Sequence, residues 1–160
     1  MATPAEQSHQ TLPFDDRNIN WLPLGDIEPL LEGVDAWFYD VDDKQGAVDA
    51  LLRFPAHARI VLHRHLAPYR TLVLQGELRL YDGDDNLTEV RPVGSYVYSD
   101  GNGEPHSEGG GDQDVVVFFS NRNIRADGAV YELLDADLNT IKYLGMADFK
   151  AIQAMQTSGG

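Results

Sequence analysis

Two histidines one residue apart, His63 and His65, open the stretch LHRHLAPYRTLVLQGELRLYDG, which otherwise alternates like a β-strand. In a strand, residues i and i+2 point to one face, so the two imidazoles stand side by side and can grip one metal ion. The same pair can also be two strand histidines on a polar face. Their surroundings form an ordered set: a gap from His65 to Arg70, a long strand broken at Gly76, a strand containing Gly94, then His106 after a glycine-containing loop. The other two histidines, His9 near the N-terminus and His57 in the PAHA turn, read as solvent-facing.

Seven other residues near these histidines could take part in chemistry. Glu104 and Glu108 flank His106 at minus and plus two, and on an unbroken strand they would share its face, as a further ligand or as an acceptor orienting an imidazole. Pro105 and the glycines at 109–111 argue against an unbroken strand, which leaves both glutamates beside the ligands rather than among them. If its strand keeps strict alternation, Arg70 faces the same way as Leu72 and Leu74, read as inward, where a guanidinium could orient an anion; with a bulge it pairs with an outer acid instead. Tyr69, Tyr81, Tyr96 and Tyr98 either line a small apolar pocket or simply pack, as strand tyrosines commonly do.

The elements that must hold these residues are short and rich in Val, Leu, Phe and Tyr. Strands are predicted over 34–41, 47–54, 58–65, 70–81, 88–99 (in two pieces), 114–121 and 129–135. Between them lie turn signals: DGDDN (82–86) for a hairpin, SDGNGEP (99–105) for a wide loop and EGGGDQD (108–114) for a sharp reversal. One helix is predicted, over 147–155, with Phe149, Ile152 and Met155 packing it on the outside of a sheet. Residues 1–18 read as a flexible N-terminal arm, and 19–160 as one domain.

Composition narrows the partners. Twelve Lys plus Arg stand against 26 Asp plus Glu, a formal charge of −14, which repels phosphate backbones and anionic lipid. With no cysteine, disulfides, zinc–thiolate sites and cysteine nucleophiles are excluded, and any metal must use His, Asp or Glu. The N-terminal residues lack a signal-peptide pattern and no uncharged apolar run is long enough for a membrane span, so the expected location is the cytoplasm.

The segments HRHLAPYRTLVLQG and GSYVYSDGNGEPH resemble the two motifs of the cupin superfamily. With the tail GAVYELLDADLNTIKYLGM, the chain over roughly residues 21–150 most resembles the single-domain, ChrR-like bacterial cupins related to 2,4'-dihydroxyacetophenone dioxygenase, with acetylacetone dioxygenase more distant. The same module forms the metal-binding half of an anti-sigma factor. The resemblance implies an all-β fold, a double-stranded β-helix (jelly-roll) barrel with a short C-terminal helix. It also implies His63, His65 and His106 as metal ligands. Arg70 stands where many cupins carry a coordinating Glu, and a guanidinium cannot ligate a cation, so an all-histidine site is expected.

By the same resemblance the cofactor is ferrous iron first, with zinc, nickel or manganese as alternatives. The implied reaction is O2-dependent cleavage of a carbon–carbon bond next to a carbonyl in a β-diketone or hydroxyketone, with Arg70 and Glu104 as candidate catalytic residues. The partners would be an anionic, chelating small molecule and O2, in a homodimer or homotetramer. Two other readings stand beside it: a metal-holding, ligand-sensing cupin without turnover, and a non-oxidative lyase or isomerase using the metal as a Lewis acid.

Overall fold

A computed structural model describes residues 14–101, 103–125 and 128–158. Most of the expected arm, His9 included, lies outside the described residues. From Phe14 onward the chain is tied to the barrel: Trp21 donates its indole N–H to the Asp16 carbonyl at 2.9 Å, and Arg53 reaches the Asp16 carboxylate at 3.3 Å.

The described strands are β1 Leu22–Pro23, β2 Asp35–Asp42, β3 Ala47–Phe54, β4 His63–His65, β5 Tyr69–Gln75, β6 Leu78–Tyr81, β7 Leu87–Arg91, β8 Tyr96–Ser99, β9 Ser107–Gly110, β10 Val115–Asn121, β11 Ala129–Leu134 and β12 Thr140–Gly145. The helix α1 spans Met146–Ser158. One sheet runs β1-β2-β3-β10-β5-β8, and two smaller ones run β12-β11-β4 and β7-β6-β9. Backbone hydrogen bonds between His63 and His106, N–H to C=O in both directions at 3.0 Å, join the smaller two into one continuous second layer. The two layers face each other across the core, which is the double-sheet antiparallel barrel expected for this sequence.

Several boundaries differ from expectation, each for a local reason. The stretch 70–81 splits at Gly76, whose φ is +72° and where a Cβ would lie 2.7 Å from the Asp114 carbonyl oxygen. That kink sends β5 into one layer and β6 into the other. Of 58–65 only His63–His65 is paired as a strand. The glycine-rich 108–114 is not simply a reversal, because Ser107–Gly110 is a strand paired with β6. Its glycines serve close approach: a Cβ on Gly109 would stand 1.8 Å from the Ala58 carbonyl oxygen. The strand β12 was not foreseen, since four of its residues are exposed and no buried period marks it.

The helix also packs otherwise than expected. Phe149 and Ile152 turn into the barrel beside Phe38, whereas Met155 is exposed. Gln156 takes the next buried position and clamps the Phe38 backbone, accepting from its N–H and donating to its carbonyl, both at 2.8 Å. No helix among the described residues is long and apolar enough to cross a membrane.

Candidate metal centre

Strand alternation carries His63 and His65 into the barrel, where they are 5% and 2% exposed. The neighbouring strand β9 begins just after His106, and its extended backbone places Glu108 on the same face as that histidine, so Glu108 is 3% exposed. One donor atom from each of His63, His65, His106 and Glu108 lies within 4.8 Å of every other. Glu108 Oε1 is 2.7 Å from His106 Nε2, 3.4 Å from His63 Nε2 and 3.8 Å from His65 Nε2. An ion bonded to imidazole and carboxylate at roughly 2.0–2.2 Å fits donor separations of this size.

The backbone presets two of the imidazoles. His63 Nδ1 bonds the Val61 carbonyl at 2.8 Å, and His106 Nδ1 bonds the Glu104 carbonyl at 3.2 Å. A carbonyl fixes Nδ1 as the protonated nitrogen, which leaves the Nε2 lone pair pointing into the cluster. His65 is held by stacking, its ring 3.8 Å from that of Tyr69 and parallel within 18°.

Three atoms of the cluster residues are left without hydrogen-bond partners despite full burial: both ring nitrogens of His65, and Glu108 Oε2. Buried polar atoms are ordinarily paired, and a cation satisfies Glu108 Oε2 and one His65 nitrogen at once. The donor set therefore fits a divalent metal. The electrostatics agree. Burial pushes the His65 imidazole down to about 3, against the pull of Glu108, so it is a neutral donor at pH 7. Burial would raise the Glu108 carboxyl, but the imidazoles of His106, His63 and His65 crowded around it outweigh burial and hold the group well below the usual range. Burial likewise opposes charge on His106, yet the Glu108 carboxylate raises its affinity for a proton.

The cluster is not all-histidine. The carboxylate that Arg70 cannot supply comes instead from Glu108, on a strand that the glycine run had disguised as a turn. Arg70 does share a face with Leu72 and Leu74, but that face is the outer one; the inward residues of β5 are Tyr69, Thr71 and Val73. Its guanidinium lies 4.9 Å from the Tyr98 ring centroid, and Tyr98 is 55% exposed. The Glu104 side chain is exposed, and only its backbone carbonyl touches the cluster. Neither side chain therefore reaches the cluster. Of the four tyrosines, Tyr69 packs at the site, Tyr81 is buried under Arg59, and Tyr96 and Tyr98 are exposed. His57 is exposed as expected, near Asp112. Tyr131, not singled out from the sequence, sits with its ring 5.0 Å from His65.

The cluster opens onto an apolar cavity of about 70 Å³ that runs between the layers, walled by Leu24, Leu31, Phe38, Phe119, Phe149 and Ile152 among others. His63, His65 and Glu108 form one part of its wall. A ligand reaching the cluster from this cavity would be small and largely apolar.

Comparison with known proteins gives the geometry a setting. No curated protein matches the sequence. An RmlC-like cupin from Ralstonia eutropha superposes with a TM-score of 0.69 at 19% identity, over 99% of this chain and 93% of that one. An acetylacetone dioxygenase from Acinetobacter johnsonii superposes at 0.67 and 13% identity, over 92% of each chain. The anti-sigma factor ChrR of Rhodobacter sphaeroides, solved in complex with SigE, gives 0.51 and 21% identity, over 67% of this chain and 50% of that one. These likenesses show the fold: a mostly β cupin barrel with one C-terminal helix. The sequence over residues 9–125 matches the model of the ChrR cupin-like domain, and the chain belongs to that family.

Proposed function

We propose that the protein is a metal-dependent cupin dioxygenase, iron-loaded, that cleaves a carbon–carbon bond next to a carbonyl in a small hydroxyketone or β-diketone, in the manner of 2,4'-dihydroxyacetophenone dioxygenase. The observation that carries this is the buried cluster of three histidines and one glutamate facing an apolar cavity, with two of its donor atoms otherwise unpartnered. A ferrous ion, when bound, supplies Lewis acidity and the one-electron chemistry that O2 requires.

The residues of this chain supply the rest. His63, His65 and His106 offer neutral donors, and Glu108 offers one negative charge. Together they would hold a ferrous ion while leaving room on it for a chelating substrate. One carboxylate against a dication leaves one positive charge, which an enolate would cancel. The apolar wall excludes water from the reacting end and receives the substrate's hydrocarbon portion.

A second reading, a metal-holding ligand sensor without turnover, is favoured by one finding: the family model is that of the ChrR domain, and one structural relative is an anti-sigma factor. Oxygen uptake separates the two. Protein reconstituted anaerobically with ferrous iron, and a zinc-loaded control, are given a panel of β-diketones and hydroxyacetophenones. Iron-dependent uptake of one O2 per substrate is the expected result, with two carboxylic acids from a hydroxyacetophenone, and one carboxylic acid plus a 2-oxoaldehyde from a β-diketone. Silence across the panel with full metal loading moves the assignment to the sensor.

A further inference from the structure

The strand β10, VVVFFSN, turns Val115, Val117 and Phe119 into the core, and by alternation Asn121 follows them. An apolar residue is what that face calls for. Asn121 is instead 2% exposed, at the cavity wall, and its Oδ1 has no partner. Apart from the metal cluster, Asn121 and Tyr131 are the polar side chains among the described residues of that wall.

The position of Asn121 relative to the cluster is fixed by its strand pairing. Across the sheet it pairs with Tyr69, whose ring lies on His65. Tyr131, whose ring lies 5.0 Å from the same imidazole, lines the same cavity wall. A buried carbonyl oxygen is thus held beside the metal cluster, with nothing in the protein donating to it. Such an atom costs stability unless a ligand or water satisfies it.

We propose that Asn121 is a specificity-determining residue: its Oδ1 accepts a hydrogen bond from an O–H or N–H on the ligand bound at the metal cluster. The ligand class follows. It is a small, largely apolar chelator that carries a hydrogen-bond donor near its chelating end. A β-diketonate offers two acceptor oxygens and no donor, whereas a hydroxyketone offers an O–H. The inference rests on the metal-site reading above but does not require turnover.

Benzohydroxamic acid and its N-methyl derivative test it, since both chelate through the same two oxygens and only the first keeps an N–H. Each is titrated calorimetrically into zinc-loaded protein, into metal-free protein and into zinc-loaded Asn121→Leu. We expect the wild type to bind the N–H compound roughly tenfold more tightly, and Asn121→Leu to shrink that ratio below about twofold. Equal affinities of the wild type for the two compounds overturn the role of Asn121 and leave the metal site standing, even if the variant does not fold. A preference that persists in Asn121→Leu also overturns it. Binding that does not depend on the metal overturns the metal-site reading, and the inference with it.

Discussion

Glu108 Oε1 lies 2.7 Å from Nε2 of His106, two residues earlier on the same extended backbone, with the Glu108 side chain 3% exposed and that of His106 13% exposed. A carboxylate and an imidazole this close and this buried are either a charge-assisted pair or two ligands of one cation. The free second oxygen of Glu108 and the unpartnered His65 Nε2 favour the cation.

If so, the four residues act as a unit. Ala at His63, His65 or His106, and Gln at Glu108, should each strip most of the bound metal. The loss should be at least the roughly 10–100-fold in affinity that even an outer partner of a ligand is worth. His57→Ala should leave loading unchanged. Elemental analysis after reconstitution and dialysis reads this out, and full retention by Glu108→Gln would remove the carboxylate from the ligand set.

Arg70 should be dispensable. Its contact with Tyr98 is exposed, and a cation–π contact of that kind contributes about 0.5–1 kcal/mol. Arg70→Ala should therefore lower stability by no more than that and leave both metal content and the Michaelis constant unchanged. A raised Michaelis constant at constant metal content would return Arg70 to the site.

Gly109 should matter more than its size indicates. A methyl group there meets the Ala58 carbonyl oxygen at 1.8 Å, so Gly109→Ala must push β9 away from its neighbour. Overpacking of this kind costs about 1–3 kcal/mol. Because Glu108 is the adjacent residue, metal affinity should fall together with the melting temperature; a drop in stability with unaltered metal affinity would show that the displacement spares the site.

The pair of Asp49 and Arg122, at 2.8 and 3.1 Å, sets a pH dependence away from the metal. Burial would raise the Asp49 carboxyl, but hydrogen bonds from Arg122 and Ser120 lower it. A carboxylate depressed in the folded state adds stability above its unfolded value of about 3.9, and that stability is lost as pH falls through the folded value. Asp49→Asn should therefore cost about 0.5–1 kcal/mol at pH 7, since Arg122 is partly exposed, and less at pH 3. Urea unfolding at both pH values checks the difference.

The sequence by itself determined the ingredients. Alternation put His63 and His65 on one face, turn chemistry separated the strands, and the absence of cysteine confined any metal to His, Asp and Glu. The paired motifs pointed to the cupin fold. What the sequence left open was which side of each strand faces the core, because period two yields two faces without saying which is buried. Arg70 shared a face with two leucines, as read, and that face proved to be the outer one. The glycines at 109–111 had two physical uses, sharp turning or close backbone approach, and only the neighbour at Ala58 decided for the second. That choice straightened β9 and carried Glu108 to the metal cluster. Asn121 was hidden for a related reason: a polar residue ending a strand reads as a boundary until the strands around it show that it is enclosed.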